Sequence, residues 1–126
     1  MTDTFLLNNF YTIEASTKKD DLTIAATIKL NANHAIFKGH FEQMPVVPGV
    51  CQTQLIKELL QEELGKNLTL TVGSNIKFTG MIIPTQHPTF NVELKYTSTE
   101  NQYAVDAQLF LESTIFTKFK GTFTQN

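Results

Sequence analysis

Only one stretch of this chain has helical spacing, and the residues on either side of it alternate with the period of a sheet. Across 49–64, Cys51, Leu55, Ile56, Leu59 and Leu60 fall on one broad apolar face, and Gln54, Lys57, Glu58 and Gln61 fall on the other. Pro48 suits the first turn of such a helix, because the amide it lacks would have had no partner there. Gly65 is an ordinary C-terminal stop. A lone helix of this kind must lay its apolar face on a sheet. The polar seam is then left for solvent, a partner or a site.

The sheet is read from two-residue alternation. Leu22, Ile24, Ala26, Ile28 and Leu30 share one face, as do Phe90, Val92, Leu94 and Tyr96, and again Tyr103, Val105, Ala107, Leu109 and Leu111. Strands are expected near 10–16, 22–30, 68–78, 89–97, 102–112 and 114–123. Lys18 to Asp21 reads as a charged turn, and Ser98 to Asn101 and Ser113 as hairpin connections. Pro84 and Pro88 would break a ladder, so 83–88 is a loop or an edge. The connection over 31–47 is long for a small domain, and long loops are often functional. One helix on a long, curved, mostly antiparallel sheet covers both sets of apolar residues, an α+β fold in a single domain over 1–126.

Composition excludes several classes. At 126 residues the chain fits one domain, and a dimer would usefully extend so small a core. The net charge is −2 and all ten basic residues are lysine, which argues against a nucleic-acid surface. Lysine can still meet a phosphate or a carboxylate patch as a point charge, and Lys38, Lys57, Lys66 and Lys77 are candidates. One cysteine excludes an intrachain disulfide, and Cys51 reads as inert filling. His34, His40 and His87 lack the spacing of a metal site, so no metal or other cofactor is expected. The first residues do not read as a signal peptide, and no apolar stretch approaches membrane-spanning length. A cytoplasmic location without membrane contact is the default expectation.

Chemistry concentrates in Phe37-Lys-Gly-His-Phe-Glu-Gln-Met-Pro-Val-Val-Pro-Gly-Val50. His40 stands a short loop before the backbone amides of Gly49 and Val50 at the helix start. Free amides and the helix dipole favour negative charge there, and a histidine titrates close enough to neutrality to exchange a proton. That combination suits an activated carbonyl such as a thioester. His34 reads as a loop polar group, with support of His40 as its alternative role.

This segment resembles the active-site stretch of the hotdog-fold 3-hydroxyacyl-[acyl-carrier-protein] dehydratases. In them Gly-His-Phe is followed by Pro-Val-hydrophobic-Pro-Gly and a long central helix. Asn75-Ile-Lys-Phe78 and Ile83-Pro84 look like the family's later strand and proline turn. The resemblance implies a hotdog fold and His40 as the catalytic histidine. It also implies a homodimer, or a heterodimer with a related subunit, whose sites lie at the interface beside an acyl tunnel. The partner or substrate would be acyl-carrier protein or an acyl thioester. Two positions depart from the family. Glu42-Gln43 replace its Pro-Gly, and Gln54 stands where it has the helix glutamate or aspartate. An amide can hold or orient a hydroxyl or a water but cannot supply the proton. Three functions therefore stay open: dehydration of 3-hydroxyacyl thioesters in fatty-acid or polyene synthesis, thioester hydrolysis, and a non-catalytic carrier-binding subunit.

Overall fold

The computed structural model describes residues 2–39 and 45–126. The elements follow as β1 (Tyr11–Asp20), β2 (Thr23–Leu30), α1 (Ala35–Gly39), α2 (Gly49–Leu64), β3 (Leu68–Phe78), β4 (Thr89–Thr99), β5 (Gln102–Leu111) and β6 (Thr114–Gln125). All six strands join one antiparallel sheet in the order β1-β2-β4-β5-β6-β3.

The bounds of α2 follow from its flanks. Pro48 itself is extended, at φ −61° and ψ 148°, and stands as the N-cap from which the helix starts. Gly65 turns left-handed at φ 68° and donates its N–H to the Gln61 carbonyl at 2.8 Å. The apolar face between them is buried as its spacing predicts. Leu55, Ile56 and Leu60 lie fully covered in one core with Ile28, Phe90, Leu94, Leu109, Phe119 and Phe123 of the sheet. Alternation in β4 and β5 puts those strand residues inward and their neighbours outward.

Bulges in β1 and β3, and one between β5 and β6, bend the ladder around the helix. At one bend the chain allows only glycine. A Cβ on Gly121 would lie 2.7 Å from the Val72 carbonyl oxygen.

Three features differ from expectation. A short helix, α1, occupies part of the 31–47 connection; His34 Nδ1 accepts the Ile36 N–H at 3.1 Å and starts it. β1 runs on to Asp20, because an edge strand exposed on both faces carries no alternation to mark its end. Leu22 sits in the turn before β2, 45% exposed, rather than in the buried set.

The polar seam of α2 is also not solvated. Residues 2–7 run along it from the C-terminal end: Thr2 bonds Glu62, Asp3 bonds Gln61 and Asn67, and the amides of Phe5 to Leu7 reach Glu58. Glu58 and Gln61 are thereby buried completely. Asn67 also accepts the Asn126 N–H on its backbone carbonyl at 3.0 Å. Among the described residues no helix is long and apolar enough to cross a membrane.

Candidate active site at the start of the central helix

The first turn of α2 opens without a side-chain cap and without an acidic residue. The Cys51 and Gln52 amides both turn back onto the Pro48 carbonyl, at 3.0 and 3.1 Å. The two amides before them, on Gly49 and Val50, have no acceptor among the described residues. Orphan N–H groups at a helix start favour an anion or a polarised carbonyl oxygen. The Val50 side chain is 77% exposed beside them.

Packing around this turn is close. The Phe78 ring lies over Gly49, where a Cβ would come within 2.7 Å of its Cζ. Gln52, buried, ties the turn to its surroundings: Nε2 donates to the Val47 carbonyl at 3.2 Å, and Oε1 accepts the Thr117 hydroxyl in a very short bond. Val47 in turn donates its N–H to the Ile82 carbonyl at 2.9 Å. Thus β6 and the loop after β3 fix where the free amides point.

The sequence candidates are placed unequally. Gly49 and Val50 open the turn, and Gln54 follows one turn later on the side of Val50. His40, together with the Glu42-Gln43 departure, lies outside the described residues. His34 is occupied at Nδ1 and sets its ring edge against Phe10 at 5.2 Å. His87 accepts the Ile83 N–H on Nδ1 at 3.0 Å and packs on Phe116. Both imidazoles are held as local structural groups. Among the described residues no three ligating side chains converge. Cys51 is buried, which pushes its thiol pKa up.

Glu58 was missed as more than a surface group. Its Oε2 accepts the Phe5 N–H at 2.8 Å, the Leu6 N–H at 3.1 Å and the Gln54 Nε2–H at 2.8 Å. Its Oε1 accepts the Leu7 N–H at 2.9 Å and the Tyr11 hydroxyl at 3.0 Å. Burial, and then the adjacent Glu58 charge, drive the Tyr11 phenol far above its ordinary range. No local signal could have revealed this, since every donor except Gln54 lies 47 or more residues away in sequence. Elsewhere, an open depression of about 810 Å³ lined by Lys95, Asp106 and Lys120 contains no residue of α2.

A long central helix wrapped by a curved, six-stranded antiparallel sheet is the hotdog fold. The helix start that carries these amides closes the 37–50 segment on which the resemblance to hotdog dehydratases rests. The chain belongs to the ApeI-like family, that of ApeI dehydratase, whose model matches residues 15–114. Solved structures agree on the fold. The dehydratase heterocomplex ApeI:P from Xenorhabdus doucetiae aligns with a TM-score of 0.71 at 16% identity, covering 89% of this chain and 96% of that one. An uncharacterized protein from Erwinia carotovora subsp. atroseptica gives 0.62 at 20% identity, over 91% and 92% of the two chains. A hypothetical thioesterase with coenzyme A from Streptococcus pneumoniae TIGR4 gives 0.61 at 14%, over 92% and 85%. No curated protein sequence matches the chain.

Proposed function

We propose that this protein is a 3-hydroxyacyl-thioester dehydratase whose substrate is carried on acyl-carrier protein in fatty-acid or polyene synthesis. The observation that carries this reading is the pair of amides on Gly49 and Val50, without acceptors among the described residues in a first turn that has no side-chain cap there. A thioester carbonyl placed there gains two donors, and the charge that develops on its oxygen when the α-carbon loses a proton is stabilised. His40 is the base that takes that proton. The β-hydroxyl must leave as water and needs one proton to do so. Gln54 cannot supply it, so the imidazolium of His40 returns the proton it took, and the elimination balances on one group.

A second subunit fits this reading. Among the described residues β3 ends the sheet with an unpaired edge, and Val72 and Phe78 on it are exposed, as are Val50 and Met81. Such an edge is a template for another strand. The solved ApeI:P neighbour is itself a heterocomplex, which supports a related hotdog subunit as partner. Thioester hydrolysis is favoured only by Gln54, whose amide could orient an attacking water.

Incubation with 3-hydroxyacyl and 2-enoyl thioesters, with and without a candidate partner subunit, tests the proposal. Dehydration or its reverse leaves the thioester intact, and His40→Ala should abolish it. Release of free thiol would establish hydrolysis instead. Carrier-protein binding without turnover of either kind would leave a non-catalytic subunit.

A further inference from the structure

Both oxygens of the buried Glu58 carboxylate are committed. Oε2 already accepts two backbone N–H groups, from Phe5 and Leu6, and a backbone amide cannot reverse its role. The third partner of that oxygen, Gln54 at 2.8 Å, must therefore also be a donor. The Gln54 amide has only one way to satisfy this: NH2 toward Glu58 and carbonyl oxygen away from it. The N-terminal segment bonds the helix at Glu62, Gln61 and Glu58. Gln54 is half-buried, and Val50, one turn closer to the helix start, is largely open. The Gln54 carbonyl oxygen accepts no hydrogen bond among the described residues and is not buried without a partner, so it is open to a ligand donor.

We propose that Glu58 is a positioning residue that fixes Gln54 as a hydrogen-bond acceptor, matched to a ligand hydroxyl and mismatched to a ligand carbonyl. This rests on the acyl-thioester reading and narrows it: the C3 substituent next to Gln54 carries an O–H. Accepting that O–H leaves the lone pairs of the hydroxyl oxygen free to take a proton, so the amide orients the leaving group without donating anything to it.

The test compares equilibrium binding of 3-hydroxyacyl, 3-oxoacyl and unsubstituted acyl pantetheine thioesters of one chain length. It is run in a His40→Ala background that suppresses turnover. The 3-hydroxy ligand should bind about five-fold tighter than the unsubstituted one, the size of one net hydrogen bond, and the 3-oxo ligand no tighter. Gln54→Leu should bring the ratio to one. Glu58→Leu should do the same, and because the ratio is taken on one preparation it does not depend on the folded fraction. A preference for the 3-oxo ligand, or a ratio unchanged in either variant, overturns the assignment. Nitrogen-15 spectra of the unliganded protein should show a slowly exchanging Gln54 NH2 pair, and a freely exchanging one would also overturn it. Failure of every thioester to bind, with that amide pair still protected, would count against the substrate reading and not against the hold of Glu58 on Gln54.

Discussion

Gln54→Glu sets two carboxyl groups where an amide now meets a carboxylate at 2.8 Å. Two unit charges at that separation repel by about 6 kcal/mol at an effective dielectric of 20. Solvent reaches Gln54, so about half of that, roughly 3 kcal/mol, is the better expectation. One carboxyl of the pair then holds a proton about two pH units above the ordinary glutamate range, with the titration belonging to the pair. The sign follows directly. An unfolded glutamate loses its proton near pH 4.3, whereas the folded pair keeps one, so the folded state binds more protons and stability falls as pH rises. Relative to wild type, the variant should be nearly equal near pH 4 and about 10 °C lower in Tm by pH 8. A deficit that is constant over this range, or absent, refutes the contact between positions 54 and 58. The same retained proton is the acid that the wild-type site lacks. Dehydration monitored with 3-hydroxyacyl thioesters should therefore rise in the variant and decline again above the pair's titration. Unchanged or lower activity would sink the idea that this amide limits the reaction.

Other substitutions test separate parts of the structure. Gly121→Ala should cost about 1–3 kcal/mol in denaturant unfolding, because its Cβ meets the Val72 carbonyl oxygen at 2.7 Å and backbone cannot step aside. Glu58→Ala leaves three backbone amides and the Tyr11 hydroxyl without their acceptor. It should destabilise by about 3 kcal/mol or more and expose residues 2–9 to protease. Phe78→Asp puts a charge on the open β3 edge and should shift sedimentation toward the monomer; an unchanged oligomer would remove β3 from the interface.

How much was legible in the sequence depended on where each signal lay. Pro48 and Gly65 marked both ends of α2, since each acts on its own backbone. β4 and β5 were legible because one face of each is buried and the other is wet. β1 lies at a sheet edge with almost every residue exposed, so nothing in its pattern distinguished Ser16 from Asp20 as its end. Of the candidate site, Gly49 and Val50 were read from their place after Pro48, and Gln54 from the resemblance to the dehydratases, whose helix acid stands there. Glu58 was not, because a carboxylate on a helix reads as solvated until its distant donors are known. Three of those donors are main-chain amides of Phe5, Leu6 and Leu7, and an amide has no side-chain identity for a sequence to display.

Asn67 has a practical corollary. Its side chain holds Asp3 at 2.7 Å and its carbonyl holds Asn126 at 3.0 Å, just beyond the Gly65 stop. Sixteen helical residues, roughly 24 Å of axis, separate that knot from Gly49. Residues 3 and 126 are thereby held close together at the C-terminal pole of α2. A fluorophore attached at either side of the knot would stand clear of any molecule docking at the opposite pole.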